Sequence, residues 1–335
     1  MKRTKPDETK LTICVWHPFT EWRPKAEMAE AMRRRWPEMR VVHLPDYARL
    51  PEELLDTDIF VGYSLRAEQL KSAKKLKWIH STATGVAQLM YPELRDSGVT
   101  VTNPRGIFSV SMAEHTMGLL LAMARNFPGS VRYQDKAHWA QQELWDEPQH
   151  LKELNGRVLL IVGLGSIGKE LAARAAAFQM RVWGVTRSGG GDRKLAERIF
   201  PAGELHEALA EADYVVVAAP ETAETKHLFG TAEFARMKAG AAFVNVSRGS
   251  LVDHVALVGA LESGKLCGAA LDVTDPEPLP AESPLWHAPR LLITPHTSAI
   301  SDRLWPRQTA VLLDLLEKWF AGEELFNRVD LSRGY

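Results

Sequence analysis

Three polar residues lie just beyond apolar, strand-like runs in the second half of the chain. Arg248 closes Val244-Asn245-Val246-Ser247-Arg248-Gly249, and Glu277 stands in Leu271-Asp272-Val273-Thr274-Asp275-Pro276-Glu277-Pro278. His296 follows Ile293-Thr294-Pro295. A guanidinium forks onto a carboxylate with two parallel N–H bonds. An imidazole gives or takes a proton near neutral pH, and a carboxylate on its other nitrogen favours the protonated ring and fixes its orientation. In open α/β sheets, ligands sit beyond the carboxyl ends of the strands. Arginine, glutamate and histidine at three successive strand ends therefore read as an acid–base site with an anchor for a substrate carboxylate. Taken singly, each has a plain structural reading: a surface cation, a turn carboxylate, a packed histidine. Their order after a nucleotide-type loop is what joins them.

That loop is Leu159-Leu160-Ile161-Val162-Gly163-Leu164-Gly165-Ser166-Ile167-Gly168, an apolar strand running into Gly-x-Gly-x-x-Gly. A helix-forming segment, Lys169 to Met180, follows at once. Gly163 permits the tight turn out of the strand, Gly165 lets the backbone approach a pyrophosphate, and Gly168 lets the helix pack on the sheet. The N–H groups that open the helix, from Ser166 and Ile167, face the phosphates. With a second strand at Arg181 to Val185, the context is a nucleotide-binding βαβ unit rather than an ordinary glycine-rich turn.

In NAD-binding units an acidic residue about 20 residues past the glycines holds the ribose hydroxyls. Here the second strand runs into Thr186-Arg187-Ser188, with no carboxylate. An arginine between two hydroxyls suits a 2′-phosphate. NADP(H) is therefore the expected preference, with NAD(H) possible. Two alternatives stay open: Arg187 as a solvated loop residue, and Asp192, after Gly189-Gly190-Gly191, turning back towards the ribose.

Two series of alternating elements must position these groups. In the first, strands fit Leu11–Trp16, Arg40–Leu44, Asp58–Gly62, Lys77–Ser81 and Val99–Thr102, with Trp16 read as core. Helices fit Lys25–Trp36, Ala67–Ala73 and Val86–Asp96. A long helix from Ser109 to Asn126 follows, with Ser111 and Glu114 spaced like a capping box, and then a helical stretch from Arg132 to Trp145. In the second series, strands fit Tyr214–Ala218, Ala242–Val246, Leu266–Asp272 and Leu291–Thr294. Helices fit Leu205–Glu211, Thr231–Arg236 and Asp253–Ser263, and an amphipathic helix, Trp305 to Ala321, closes the chain. Strands alternating with helices predict parallel sheets covered on both faces.

The chain has 335 residues, which suggests two domains at about 100–200 residues each. It is 45% hydrophobic and 25% charged, with a net charge of −1. That balance argues against nucleic acid or an anionic membrane as a partner. Cys14 and Cys267 lie in apolar runs, so neither a disulfide framework nor a cysteine metal site is expected, and no metal is expected elsewhere. Met1 to Lys10 is polar and is followed by too few apolar residues for a signal peptide. The apolar stretch Met117 to Met123 is too short to span a bilayer. A cytoplasmic location is the expectation by elimination.

At these residues the chain resembles the D-2-hydroxyacid dehydrogenase family over most of its length. Gly163 to Gly168 resembles the coenzyme loop, Asn245 to Gly249 the substrate-arginine segment, Asp272-Val273 with Glu277-Pro278 the glutamate segment, and Thr294-Pro295-His296 the histidine segment. Ser111 to His115 resembles the interdomain helix, and the tail from Asn327 to Asp330 and on to Gly334-Tyr335 is similar too. The resemblance implies two Rossmann-like or flavodoxin-like doubly wound α/β domains with a cleft between them. Residues 1–102 with 296–335 would form the substrate domain, and 103–295 the inserted coenzyme domain. It implies reduction of a 2-oxoacid to a D-2-hydroxyacid with NAD(P)H. Arg248 would bind the carboxylate and polarise the carbonyl, and His296 would donate the proton with Glu277 as partner. Asp272 would lie near the nicotinamide carboxamide, Pro220 would flank the coenzyme, and backbone amides of Thr84, Gly85 and Val86 would hold the carboxylate. Homodimers built around the coenzyme domain are usual in this resemblance. Ala87 departs from it, standing where an acidic residue or asparagine is common, which puts local support of that loop in doubt. Formate dehydrogenases pair the histidine with glutamine, whereas Glu277 stands here. A catalytically idle NAD(P)-sensing or scaffolding relative of the same fold is the alternative.

Overall fold

Strands and helices alternate along the chain as their sequence patterns predict, and they assemble two parallel sheets of five and seven strands. The computed structural model describes residues 4–147 and 151–332, so Gly334 and Tyr335 of the tail lie outside the described residues. The chain divides into two units, Met1–Ile107 with Ile300–Tyr335, and Phe108–Ala299. The division falls a few residues beyond the boundaries expected at 102/103 and 295/296. His296 thereby shares a unit with Arg248 and Glu277.

In the first unit, β1 (Lys10–Cys14), β2 (Arg40–Leu44), β3 (Ile59–Gly62), β4 (Trp78–Ser81) and β5 (Thr100–Thr102) lie in the order β2-β1-β3-β4-β5. All pairs are parallel, and the order is that of flavodoxin-like sheets. β1, β3 and β4 are buried along their whole length, as strands covered on both faces are. The helix Leu304–Ala321 buries Leu312, Leu315, Leu316 and Trp319, and Trp319 stacks on Trp78 at 5.4 Å between ring centroids.

Three readings in this unit change. Val86–Asp96 is not one helix but a 3-10 turn, Ala87–Leu89, and a short helix, Pro92–Arg95. Pro92 forces Tyr91 into an extended conformation, which breaks the run. Leu50–Leu54 forms a helix that the apolar pattern does not announce, with Pro51 in its first turn. Trp16 is 46% exposed rather than core, because β1 ends at Cys14. Arg23 lies over its ring at 5.3 Å.

In the second unit, β6 (Val158–Val162), β7 (Arg181–Thr186), β8 (Arg198–Pro201), β9 (Tyr214–Val217), β10 (Ala241–Asn245), β11 (Leu266–Leu271) and β12 (Leu291–Ile293) order as β12-β11-β10-β9-β6-β7-β8. This is the dinucleotide-fold order, with its topological switch between β6 and β9. Leu160 and Val162 point into one core and Leu159 and Ile161 into the other, the period-2 alternation of a doubly covered strand. β8 is a short edge strand on β7, half-buried and ending in proline, which sequence patterning passes over.

The long helix runs Ser109–Ala124 and has no side-chain cap. The expected capping box does not form: Ser111 Oγ donates to the Phe108 carbonyl at 3.1 Å, and Glu114 pairs with Arg174 at 3.2 Å. The stretch Arg132–Trp145 splits into Phe127–Gln134 and Gln141–Asp146, with Ala137 between them at φ +49. Among the described residues no helix is long and apolar enough to cross a membrane, and no group of three or more His, Cys, Asp or Glu side chains is arranged to hold a metal.

The pairing register determines where the site lies. Val185, Val162, Val217, Asn245, Leu271 and Ile293 pair in one continuous row across the sheet. Every segment singled out in this half of the sequence leaves its strand at or just past that row, so all of them emerge on one edge.

At the start of β1, Lys10 is 5% exposed and its ammonium meets the Glu53 carboxylate at 2.8 Å, together with Asp56. The Glu53 side chain is itself 9% exposed. Without Lys10, Glu53 keeps the exposed Arg49 at 2.7 Å and Arg40 at 3.7 Å but loses its buried counter-charge, so the cost is part of that of an unpaired buried charge. Lys10→Met is expected to lower unfolding stability by about 2 kcal/mol, measured by chemical denaturation. An unchanged midpoint contradicts the assignment.

Candidate active site

The glycine-rich loop is shaped by backbone approach. Gly163 sits at φ +105, and a Cβ there would lie 2.7 Å from Ala219 N and 2.8 Å from the Ala218 carbonyl. The ends of β6 and β9 thus touch at the switch point, where any side chain would part them. A Cβ on Gly168 would lie 2.2 Å from the Gly163 oxygen, so the helix Ser166–Ala177 packs directly on the turn. Gly165 differs: a Cβ there would meet nothing within 4 Å. It is the N-cap residue and provides no side-chain cap. The first N–H groups of a helix have no partner within it, and those of Ser166 and Ile167 follow directly on the open space at Gly165. This cradle fits a pyrophosphate.

At the end of β7, Thr186 Oγ1 donates to the Gly190 carbonyl at 2.9 Å, and Gly189 turns the chain at φ +74. Arg187 and Ser188 are exposed. Arg187 Nη2 lies 3.9 Å from Glu224, with the two side chains 69% and 78% exposed. Asp192 Oδ1 accepts the Lys194 N–H at 2.9 Å, so this carboxylate closes its own turn. Pro220, exposed just beyond β9, has its carbonyl bound by Thr225 Oγ1 at 2.8 Å.

The three acid–base candidates lie on neighbouring strand ends. His296 Nδ1 is 2.8 Å from Glu277 Oε2, and Glu277 Oε1 accepts the Thr274 N–H at 3.0 Å. The His296 and Glu277 side chains are 41% and 37% exposed, open to a ligand. Burial alone would push the Glu277 carboxyl up. The hydrogen bonds from His296 and the Thr274 N–H, with the charges of His296 and Arg248, outweigh it and hold Glu277 below the usual carboxylate range. Glu277 is therefore an anion at neutral pH, and its bond to Nδ1 leaves Nε2 to exchange a proton.

Arg248 is exposed and is set by its own turn. Asn245, wholly buried, donates from Nδ2 to the Arg248 carbonyl at 2.8 Å. Its Oδ1 accepts the Ser247 N–H and hydroxyl at 3.0 and 2.9 Å. Arg248 Nη1 donates to the Ser247 carbonyl at 2.7 Å. Gly249 then meets the glutamate segment, for a Cβ there would lie 2.0 Å from the Thr274 carbonyl carbon. The arginine and glutamate turns are thus in direct backbone contact. Sequence reasoning singles out neither Asn245 nor Gly249 for this work. Their signals are an asparagine at the end of an apolar strand, two residues before a serine, and a glycine straight after the arginine.

The resemblance puts Asp272 beside a nicotinamide carboxamide. Its side chain is fully buried, and both oxygens already serve the histidine segment. Oδ1 accepts from Thr294 Oγ1 at 2.6 Å and Thr297 N at 3.0 Å, and Oδ2 accepts from Ser298 N at 3.1 Å. The His296 N–H donates to the Asp272 carbonyl at 2.8 Å. This tie to β11 is why the histidine segment belongs to the second unit.

The other expected substrate residues, Thr84, Gly85 and Val86, lie in the first unit. Thr84 and Gly85 are exposed and Val86 is buried. Asn103 Nδ2 holds the Thr84 carbonyl at 2.8 Å, and Gln88 Nε2 holds the Tyr63 carbonyl at 2.7 Å and the Gly85 carbonyl at 3.4 Å. Gln88 supplies loop support where Ala87 has no polar group to offer.

A family model described as D-isomer specific 2-hydroxyacid dehydrogenase, NAD binding domain, matches residues 117–298. A D-3-phosphoglycerate dehydrogenase of Methanocaldococcus jannaschii is 31% identical over 285 residues, 84% of this chain and 53% of its own length. The chain therefore spans about half of that relative. A glyoxylate reductase of Korarchaeum cryptofilum is 32% identical over 278 residues, covering 81% of this chain and 82% of the relative. Among solved structures, a D-isomer specific 2-hydroxyacid dehydrogenase family protein from Aeromonas salmonicida subsp. salmonicida superposes with a TM-score of 0.83. It is 32% identical and covers 97% of this chain and 99% of that one.

Gly249→Ala forces a Cβ into the Thr274 backbone. Overpacking of this kind costs about 1–3 kcal/mol, to be read by chemical denaturation. A crystal structure of the variant is expected to show the His296–Glu277 bond lost. Wild-type stability with that bond intact would contradict the contact's role.

Proposed function

The chain belongs to the D-isomer specific 2-hydroxyacid dehydrogenase family, and from that premise we propose that it reduces a 2-oxoacid to a D-2-hydroxyacid with NADPH as preferred coenzyme. The observation that carries this reading is the 2.8 Å His296–Glu277 pair, with Arg248 close enough to bias its charge, on the sheet edge that also bears the glycine cradle.

When bound, the coenzyme would supply the hydride. Gly163, Gly165, Ser166, Ile167 and Gly168 would hold its pyrophosphate, Thr186, Arg187 and Ser188 its 2′-phosphate, and Pro220 would flank it. Arg248 anchors the substrate carboxylate and polarises the carbonyl, and carboxylate binding is also the role proposed for the backbone amides of Thr84, Gly85 and Val86. His296 gives its Nε2 proton to the developing alkoxide. Glu277 keeps the imidazolium favourable and the ring oriented. Asp272 serves the coenzyme side by anchoring the strand end next to it. Glyoxylate is the first substrate to try, on the strength of the glyoxylate reductase relative, and hydroxypyruvate, another short 2-oxoacid, the second.

The preference for NADPH is supported by the carboxylate missing from the end of β7 and by Asp192 being engaged in its own turn. A bidentate phosphate at Arg187 would exceed a 3.9 Å solvent-exposed pairing with Glu224. The proposal includes a cytoplasmic homodimer. Phe127, Val131, Trp139 and Trp145 are all exposed on the segment from Phe127 to Asp146, and exposed apolar surface of this kind supports contact with a second copy.

Steady-state kinetics with a panel of 2-oxoacids and both coenzymes test this reading. We expect turnover of at least one short 2-oxoacid and a lower KM for NADPH than for NADH. Arg187→Asp should remove that difference. A protein that oxidises neither coenzyme with any 2-oxoacid is the idle alternative. Wild-type preference for NADH would overturn the phosphate role of Arg187.

A further inference from the structure

The bond between Thr294 and Asp272 has a third participant. His115, on the helix Ser109–Ala124, places Nε2 at 3.0 Å from Thr294 Oγ1 and 3.5 Å from Asp272 Oδ1. The threonine hydroxyl carries one proton, and that proton goes to Asp272 at 2.6 Å. The carboxylate has none to give. The only arrangement that satisfies all three atoms has the proton on His115 Nε2, donating to the threonine oxygen. His115 is thus a donor aimed at the first residue of the histidine segment.

That segment needs holding. His296 sits at φ +53, a left-handed conformation that a non-glycine residue keeps only where its surroundings enforce it. The enforcing bonds are those that Asp272 receives from Thr294, Thr297 and Ser298, with the His296 N–H on the Asp272 carbonyl. Thr294 enters the clamp two residues before His296, and a donor on the far side of its hydroxyl holds that oxygen towards Asp272.

We propose that His115 is a positioning residue for proton transfer, acting through Thr294 and Asp272 to hold the His296 imidazole in reach of the substrate. The role rests on His296 as proton donor. It assigns His115 a function by what its Nε2–H does, not by any contact with ligand.

The variants are His115→Leu, which removes the donor, and His115→Gln, whose amide N–H can reach the same point. Thr294→Val and Thr294→Ser make the corresponding pair at the hydroxyl. The readouts are kcat and KM for glyoxylate, NADPH affinity by fluorescence titration, and melting temperature. We expect His115→Leu to lower kcat roughly tenfold, the worth of one hydrogen bond next to a buried charge, with NADPH affinity unchanged. His115→Gln should recover most of the loss. Thr294→Val should match His115→Leu, the double variant should add little to either, and Thr294→Ser, which keeps the hydroxyl, should recover most of the loss. Wild-type kcat in both His115→Leu and Thr294→Val overturns the proposal. So does an equal loss in His115→Leu and His115→Gln that follows melting temperature, which would mark mere packing. A His296→Gln control separates the two levels: if it keeps wild-type turnover, the proton-donor reading fails and the role of His115 with it. If His296→Gln is inactive while His115→Leu is normal, only the positioning role fails.

Discussion

A carboxylate taken wholly out of water must have its lone pairs met, and at Asp272 the partners that meet them are backbone N–H groups and a hydroxyl from the 294–298 segment. That requirement fixes the path of the chain after β12. It turns His296 back over the sheet edge at a positive φ, within 2.8 Å of a glutamate that leaves the neighbouring strand. Without Asp272 the histidine would be one more residue on an exposed loop. The buried acid makes a two-strand constellation from two sequence segments about 20 residues apart.

The sheet makes the next contribution. In parallel strands the carboxyl ends line up, and here six of them pair in one row from Val185 to Ile293. Two glycines convert alignment into contact. Gly163 lets the end of β6 meet the end of β9, and Gly249 lets the arginine turn meet the glutamate turn. In both places a single methyl group would drive two loops apart. The electrostatics follow from this closeness: Arg248 and His296 are near enough to keep Glu277 ionised against its burial.

The glycine loop, the alternating elements and the three strand-end polar residues were legible from sequence because each carries a short-range signal: Gly-x-Gly-x-x-Gly after an apolar run, and Arg, Glu and His after others. The two-sheet α/β class followed from the alternation. What sequence did not reveal depends on partners distant in the chain. The clamp at Asp272 is made by residues more than 20 positions away, and the helix carrying His115 precedes its Thr294 partner by 179. The capping box at Ser111 and Glu114 had the right spacing but lost to local backbone bonding and to Arg174. Apolar character alone does not say where a strand stops, so Trp16 lies exposed beyond the end of β1 rather than in the core. Not every histidine is chemical, either. His80 is wholly buried, its pKa is pushed down to about 3 by burial, and it stays neutral beside Thr102.

Proton delivery by the Glu277–His296 pair in 2-oxoacid reduction is read from the pH dependence of kcat in wild type and Glu277→Gln. Reduction needs the protonated ring, so its rate should fall as pH rises, while oxidation of the hydroxyacid should rise over the same span. Glu277 is held below the usual carboxylate range by His296, the Thr274 N–H and Arg248 against its burial, so it is an anion at neutral pH. Replacing the anion by an amide removes what favours the imidazolium. Glu277→Gln is therefore expected to retain some turnover, with both limbs at lower pH. Limbs at the same pH in the two proteins would contradict it.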